Sequence, residues 1–232
     1  MISEYTLKAR IYPAILTSLP LILFTNATFD SQLHQWLNDN DYAALFGKGS
    51  LAIAIVFALS QFNRFIAVAV FEHLISKDET NFPTTRLLLP DCDLMSDAMR
   101  KAIDSKVQKD FGVQLPATVI STESTKARRH IADVVGRMRE RTRGHKLLLQ
   151  HNIEYGFVRN FIGACPLVLL VSGTNIILYT YKVLPSFPPW GYLASIAYAI
   201  TAILMMALSK VVLDRYGIIY ARVLFRAYLD AK

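Results

Sequence analysis

The sequence has few cysteines, few charged residues and no motif of a common enzyme class. Its two cysteines, Cys92 and Cys165, are too few for the disulfide-dense scaffold of a small secreted protein. Charged residues make up 19% of the chain and apolar residues 53%, and this balance excludes an intrinsically disordered protein. A Walker loop, a G-x-S-x-G elbow and an H-E-x-x-H zinc motif are missing from the sequence. We therefore expect a protein that is not an enzyme and that holds no cofactor.

Histidines are few and poorly spaced for a metal. His151 and Glu154 stand three residues apart on a predicted helix, but no second His or Cys pair at ligand spacing accompanies them. The other histidines are scattered at His34, His73, His130 and His145. We therefore predict no metal site.

Long apolar runs are what the sequence has in excess, and its mean hydropathy is +0.32. A helix that crosses a membrane needs roughly 20 mainly apolar residues. Residues 160–181 contain no charged residue over 22 positions, and residues 183–209 contain none over 27. We predict that these two runs are the third and fourth transmembrane helices.

Two earlier runs predict the first and second transmembrane helices. Residues 11–29 are uncharged but contain Pro13 and Pro20, so the helix should kink or begin at a proline. Residues 49–63 are uncharged, and the apolar run continues after Arg64 to residue 71. A cleaved signal peptide is the alternative for the first run, although the run is long for one and lacks a clear cleavage site.

The distribution of charge predicts the orientation. The connection 30–48 contains three acids and one lysine, whereas residues 72–159 contain 15 basic residues. Lys and Arg also dominate both ends of the chain. Because cytoplasmic segments of membrane proteins are enriched in Lys and Arg, we predict a membrane protein with both termini in the cytoplasm.

The predicted fold is an all-α polytopic membrane protein, with four transmembrane helices and a small, mainly helical cytosolic insert between helices two and three. Residues 1–75 contain the first two transmembrane helices, 76–155 the basic cytosolic domain and 156–210 the last two. Residues 211–232 predict a cytoplasmic amphipathic helix with Arg215, Arg222 and Arg226 on one stripe. That helix either packs on neighbouring segments or lies on the inner leaflet.

The first part of the insert predicts one helix and two extended segments. Residues 82–90 are bounded by prolines and short for a helix, so they predict a strand or an extended entry, and residues 113–120 predict a second short strand. Residues 93–111 place apolar side chains every four positions and are followed by Gly112. This pattern predicts an amphipathic helix with a glycine C-cap.

Residues 122–145 predict a second helix that ends at Gly144. Its candidate N-cap residues are Ser121, Thr122 and Ser124. Its apolar side is formed by Ile131, Val134, Val135 and Met138.

Residues 126–146, most of which lie in this second helix, are the most basic stretch of the chain, with eight Lys or Arg residues against only Asp133 and Glu140. Arginines on successive helical turns can bind successive phosphates, because the planar guanidinium donates two parallel hydrogen bonds to a phosphate. Arg139 and Arg143 are predicted to lack an acidic partner on the helix and are the preferred ligands. We predict a nucleotide- or nucleic-acid-binding surface formed by Lys126, Arg128, Arg129, Arg137, Arg139, Arg141, Arg143 and Lys146.

Two other interpretations of the basic helix stay open. Arg129, Asp133 and Arg137 are spaced four residues apart and could form a salt-bridged, solvated face. The remaining arginines could instead lie against anionic lipid headgroups.

Polar residues inside the predicted spans are candidates for an ion path, because they are costly in lipid. Ser60, Gln61, Asn63 and Arg64 cluster at the cytoplasmic end of the second span, and we predict that they line a pore or gate. The alternative for Arg64 is that it snorkels to the inner headgroups. Serines and threonines in the spans are more typical of helix packing.

The run LLLQHNIEYGFVRNFIGACP at residues 147–166 has the form N-x-x-Y-G-F-x-R-N-x-x-G. It resembles the entry to the third span in small four-helix membrane proteins of bacterial defence loci, and the FPTTRLL segment at 82–88 is similar to the same group. The group that the chain most resembles is the membrane channel effector of Hailong-type anti-phage systems. The two patches cover about a tenth of the chain.

The resemblance implies a homo-oligomeric, ion-conducting effector of the bacterial inner membrane, with a nucleotidyltransferase as its partner. It also implies that a single-stranded DNA product of the partner keeps the channel shut until infection removes it. On the shared motif, Asn152, Tyr155, Gly156, Arg159 and Asn160 would couple the insert to the membrane.

Together these features predict an oligomeric pore whose insert binds a polyanion across Arg128, Arg139 and Arg143 of adjacent copies. The principal rival is a non-conducting membrane scaffold that recruits a soluble partner or anionic lipid through the same insert. A transporter or membrane enzyme, and a lipid-binding surface protein, are further alternatives.

Overall fold

The computed structural model describes residues 3–28, 41–72, 78–90, 92–117, 124–183 and 187–231. Within these ranges the chain is helical and forms no strand, which confirms the predicted all-α class for this part of the protein. Wider π-helical turns occur at Leu7–Ile11 and Ala67–Glu72, and a 3₁₀ turn covers Glu79–Asn81. The helices are α1 Glu4–Thr17, α2 Leu19–Thr28, α3 Asp41–Ile66, α4 Pro83–Arg86, α5 Asp97–Phe111, α6 Ser124–Arg141, α7 Lys146–Thr180, α8 Pro189–Ala207 and α9 Ser209–Asp230.

The chain divides into two compact units. Unit 1 comprises Met1–Phe71 and Gly156–Ser209, and unit 2 comprises Glu72–Tyr155 and Lys210–Lys232. The predicted insert and the C-terminal helix, which the sequence suggested as separate segments, therefore belong to the same unit.

Three helical segments are long and apolar enough to cross a membrane. They are Ile53–Phe71, Lys146–Thr180 and Pro189–Ala207. Helices α1 and α2 meet the same criterion only as a pair, and they are bent by 41° at their junction. The described part of the chain thus holds three candidate spans, or four if the bent pair crosses as one.

The bend between α1 and α2 follows from Pro20. In an α-helix the N–H of residue 20 would bond to the carbonyl of Leu16, but proline has no N–H to give. The Tyr198 hydroxyl of α8 donates to that Leu16 oxygen instead, at 2.8 Å. The predicted kink is confirmed, and its freed carbonyl has a donor from another helix of unit 1.

Pro13 leaves a second carbonyl without its helical donor. In an α-helix the N–H of residue 13 would bond to the Ala9 carbonyl, and proline has no N–H. The side-chain amide of Asn160 on α7 donates to this oxygen at 2.6 Å. One turn earlier on α7, a Cβ on Gly156 would come within 2.9 Å of the Tyr5 hydroxyl and 3.0 Å of the Ala9 Cβ. The small residue at 156 and the amide at 160 therefore allow α7 to pack closely against α1.

Unit 1 exposes large apolar side chains and buries several polar ones, a combination that we call inverted burial. Large apolar side chains of its candidate spans are 65 to 72% exposed, among them Ile53, Phe65, Leu170 and Leu193. Its buried polar residues are Thr17, Ser18, Ser60, Asn63, Asn160, Ser172, Asn175 and Ser195. Small apolar residues such as Ala164 and Ala202 are buried as well, and the large exposed apolar side chains make unit 1 compatible with a lipid surrounding.

Unit 2 has an ordinary apolar core, to which α9 contributes four fully buried residues. These are Ala221, Leu224, Phe225 and Tyr228. Helix α5 supplies Ile103 and Val107, and α6 supplies the four apolar residues that its sequence predicts, Ile131, Val134, Val135 and Met138. The C-terminal helix therefore packs on neighbouring segments, which was one of its two predicted placements.

The two predicted extended segments of the insert are wrong where the structure describes them. Pro83–Arg86 forms a short helix, because Phe82 is extended and Pro83 occupies the first helical turn, where its missing N–H costs nothing. Residues 113–117 form no strand, and residues 118–120 lie outside the described residues.

The predicted ends of α5 and α6 are largely confirmed. Helix α5 begins after Ser96, whose hydroxyl accepts the Met99 N–H at 3.4 Å, and ends at Gly112 with φ of 67°. Gly144 follows α6 with φ of 92°. Both glycines are left-handed, but only Gly112 caps its helix directly, because α6 ends at Arg141, three residues before Gly144. Of the suggested caps of α6, Ser121 and Thr122 lie outside the described residues, and Ser124 is the first residue of the helix.

Candidate functional site

Most of the charged residues lie in unit 2, which holds 19 of the 25 Lys and Arg and 14 of the 18 Asp and Glu. Its net charge of +5 makes it the main basic body of the chain. The eight basic residues of the predicted binding surface all lie in this unit, on α6, in the turn that follows it and at the start of α7.

Two of the eight face the interior of unit 2 and are occupied there. The Arg128 guanidinium donates to the Thr80 carbonyl at 3.3 Å and to the Asn81 side chain at 3.4 Å. The Arg139 guanidinium donates to the Thr84 hydroxyl at 3.4 Å. Both side chains are half-buried. Arg128 and Arg139 therefore hold segment 80–84 against α6 and are poorly placed to bridge a ligand.

Segment 78–81 is further ordered by Asp78. Its carboxylate accepts the Thr80 N–H at 3.0 Å and the Asn81 amide at 3.2 Å, and it also accepts the Thr80 hydroxyl. The bonds from Thr80, with smaller help from Asn81 and Arg129, outweigh burial and hold the pKa of Asp78 below its usual value. Asp78 thus stays ionised and keeps this turn in place beside α6.

Another subset of the basic residues forms an exposed stripe. Arg129, Arg137 and Arg141 recur at helical spacing on one side of α6 and are exposed, as is Lys126 at its start. Arg137 lies over the Phe111 ring, 5.8 Å from its centroid. This exposed stripe is the part of α6 that a phosphorylated ligand can reach.

The structure does not form the salt bridges that the sequence suggested for this stripe. Asp133 stands between Arg129 and Arg137, yet in the described part of the chain it makes no ion pair with either. The stripe therefore retains its positive charge.

The prediction that Arg143 lacks an acidic partner is wrong. The Arg143 guanidinium pairs with the Glu140 carboxylate at 2.9 Å, three residues earlier. Both side chains are largely exposed, so the pair is weak and salt-sensitive. Lys146, the last of the eight, is exposed at the first residue of α7.

The predicted pore residues fall on two sides of α3. Ser60 and Asn63 are buried, with the Asn63 amide donating to the Thr17 hydroxyl at 3.5 Å. Gln61 is half-buried and Arg64 is exposed. The four residues therefore do not line one surface of a single copy.

Of the predicted coupling residues, Asn160 has the clearest role, because it joins α7 to α1 through the Ala9 carbonyl. Arg159 is half-buried on the same helix and, like Asn160, belongs to unit 1. Asn152 and Tyr155 belong to unit 2.

One long-range ion pair of unit 2 could not be predicted from the sequence. The Arg86 guanidinium donates to the Asp214 carboxylate at 2.7 Å. The two residues are 128 positions apart, so no local spacing could have revealed the pair. The sequence drew attention to Arg86 only as a member of the FPTTRLL segment, and it predicted no partner for this residue.

Among the described residues, no three His, Cys, Asp or Glu side chains come close enough to hold a metal. His151 and Glu154 do interact, with 3.1 Å between the ring nitrogen and the carboxylate. Comparison of the chain with protein-family models, with curated proteins and with solved structures finds no match in any of the three.

Proposed function

We propose that this chain is a membrane protein that assembles into an oligomeric, ion-conducting pore, and that a phosphorylated ligand on unit 2 controls the pore. The ligand class is a nucleotide or single-stranded DNA. The observation that carries the proposal is the inverted burial of unit 1, together with an exposed basic stripe on unit 2.

The inverted burial supports a membrane location. Exposing side chains such as Leu170 and Leu193 to water would cost roughly 25 cal/mol for each Å² of apolar surface. Lipid removes this cost, and it also explains why the polar side chains of unit 1 are turned inward.

Arg64 supports assembly around a hydrated path. It is exposed 11 residues into the candidate span Ile53–Phe71, on the same stripe as the exposed Phe57 and Val68. A guanidinium that faces lipid there would be costly. When several copies place this stripe toward a common axis, Arg64 and the neighbouring Gln61 contact water.

The exposed stripe of α6 supports the ligand class. Arg129, Arg137 and Arg141 present three guanidinium groups at intervals of one or two helical turns, about 6 Å for each turn of four residues. This spacing is close to that of successive phosphates on an extended single strand. Because a polyanion that contacts several arginines releases the counterions of its phosphates, its binding should fall steeply as salt rises.

The test is conductance of the purified full chain in planar bilayers, with and without a single-stranded oligodeoxynucleotide on the side of unit 2. We expect conductance that the oligonucleotide changes, and an affinity that Arg137→Gln and Arg141→Gln each lower. Arg226→Gln, which removes an exposed arginine of α9 away from this stripe, is the matched control and should bind like the wild type.

The same measurement separates the rival function. A chain that retains oligonucleotide or a soluble partner but never conducts is the non-conducting scaffold. A chain that neither conducts nor distinguishes Arg137→Gln from Arg226→Gln contradicts the proposal.

A role in anti-phage defence, with a nucleotidyltransferase as partner, is part of the proposal and rests on the resemblance of residues 147–166 and 82–88. It is tested by phage challenge of bacteria that express the chain with and without a neighbouring nucleotidyltransferase. Equal plaque numbers in all strains would contradict it.

A further inference from the structure

Unit 2 contains a second basic feature, away from the exposed stripe of α6. It is an open cleft of about 770 Å³ along one face of α9. Residues Val211, Arg215, Ile218 and Arg222 follow one another at intervals of three or four and line it together with Lys210. The opposite wall is formed by Asn81 and Arg86.

The charge in this cleft is mostly uncompensated. Four cations line it, Arg86, Lys210, Arg215 and Arg222, against the single acid Asp214. Asp214 is already paired with Arg86 at 2.7 Å. Among the described residues, Lys210 and Arg215 make no ion pair, and Arg222 donates only to the Leu94 carbonyl at 3.3 Å.

The cleft is held in shape without a ligand. A Cβ on Gly217 of α9 would come within 2.7 Å of the Pro83 ring, so α4 sits directly against α9 and Arg86 reaches Asp214. On the other side of the cleft, the Asn81 side-chain oxygen accepts a hydrogen bond from the Arg128 guanidinium of α6. Two of the arginines first considered as ligands, Arg128 and Arg139, therefore build the wall of this cleft by fixing segment 80–84.

The floor of the cleft is apolar. Val211 is 66% exposed and Ile219 is 37% exposed. A ligand that matches both the cations and the apolar floor of the cleft must carry an anionic group with an apolar group next to it. Glycerophospholipids with an anionic headgroup have this combination, whereas a nucleotide presents polar groups along its whole length.

We propose that this cleft binds the phosphate of an anionic phospholipid headgroup. Lys210 follows the last residue of the candidate span Pro189–Ala207 by three positions along the chain. If that helix crosses the membrane, as the proposed function requires, the cleft begins at the depth of the headgroups. Arg215 and Arg222, which are about 10 Å apart along the helix, then contact the phosphate, and Val211 and Ile219 contact the first carbons of the lipid.

The experiment is native mass spectrometry of the full chain in detergent with added phosphatidylglycerol or phosphatidylcholine. We expect phosphatidylglycerol to bind more tightly than phosphatidylcholine. Arg215→Gln and Arg222→Gln should each weaken the phosphatidylglycerol complex by roughly fivefold, while Arg226→Gln, on the same helix but outside the cleft, leaves it unchanged. Arg215→Gln is the cleaner variant, because Arg215 makes no hydrogen bond in the described part of the chain that its loss would break.

Added ATP distinguishes the two sources of phosphate. ATP binding that depends on Arg215 and Arg222, with no preference for phosphatidylglycerol, overturns the lipid assignment in favour of a free phosphate. Equal binding of both lipids without ATP binding, or an equal loss in Arg226→Gln, overturns the site itself.

Alkaline extraction of membranes that contain the full chain separates this proposal from the function on which it rests. A chain that alkali releases is not integral, and both proposals fail. A chain that stays in the membrane but shows no lipid preference removes the cleft assignment alone.

Discussion

Gly163 on α7 lies so close to Asn63 on α3 that a Cβ on the glycine would overlap the Asn63 carbonyl oxygen. The same Cβ would be 2.8 Å from the Ala67 N–H nitrogen. The obstacle is backbone, which cannot rotate away as a side chain can. Close packing of α7 on α3 therefore requires glycine at this position.

Gly163→Ala should separate α7 from α3 and destabilise unit 1 by about 1 to 3 kcal/mol. The matched control is Gly173→Ala on the same helix, where a Cβ would meet nothing within 4 Å. Thermal unfolding of the full chain in detergent should show a lower Tm for the first variant and an unchanged or slightly higher Tm for the second. Equal Tm values for the two variants would contradict this role of Gly163.

Tyr198→Phe tests the hydrogen bond at the bend between α1 and α2. The substitution keeps the ring and removes the hydroxyl that donates to Leu16, so the carbonyl freed by Pro20 loses its donor. We expect a loss of about 1 kcal/mol in stability. Tyr192→Phe on the same helix is the control, because its hydroxyl makes no hydrogen bond in the described ranges. An identical Tm for both variants would mean that the bond contributes nothing.

Tyr228→Phe tests a buried hydrogen bond of unit 2 through its pH dependence. Burial, and then the bond to the Asp110 carboxylate at 3.1 Å, raise the pKa of Tyr228 well above its ordinary value. The folded state thus favours the protonated phenol. This contribution to stability is complete below the unfolded pKa of about 10 and is lost as pH rises toward the folded pKa.

Denaturation of the wild type and Tyr228→Phe should therefore differ most at neutral pH and converge in alkali. Tyr216→Phe, on the same helix, is the control, because its hydroxyl makes no hydrogen bond among the described residues. A stability difference that stays constant from neutral to alkaline pH would show that the Tyr228 phenol does not titrate as argued.

Arg64→Glu tests whether α3 lines an ion path. A ring of arginines favours anions and a ring of carboxylates favours cations. In a salt gradient across a planar bilayer, the reversal potential of the variant should move toward the cation equilibrium potential. Arg226→Glu makes the same charge change in unit 2 and should leave the reversal potential near that of the wild type. An unchanged reversal potential in Arg64→Glu would instead support snorkelling to the headgroups.

The sequence predicted the helices wherever their structure depends on residues close together along the chain. The stripe Ile131, Val134, Val135 and Met138 repeats at helical spacing and is buried as predicted. Gly112 ends its helix as predicted, because only local backbone geometry decides that position. Segment 82–90 was misread because the prolines suggested an extended chain, whereas Pro83 begins a short helix whose packing against Gly217 is a long-range contact.

The sequence predicted the arrangement of the candidate binding residues only in part. Spacing grouped Arg129, Arg137 and Arg141, since residues on one face of a helix follow from its period. It did not show that Arg128 and Arg139 are engaged by segment 80–84. Those contacts join residues about 50 positions apart, and charge alone does not distinguish a structural arginine from a ligand.

By itself, the sequence determined the all-helical class, the apolar segments and the concentration of basic charge in the region that became unit 2. Each of these depends on composition or on a period of a few residues. Only the tertiary structure decided that α9 completes the core of unit 2, and that side chains of α7 and α8 bond to carbonyls freed by Pro13 and Pro20. It also brought Arg86 to Asp214 across 128 positions. Such pairings depend on how helices pack, and no repeat along the chain encodes them.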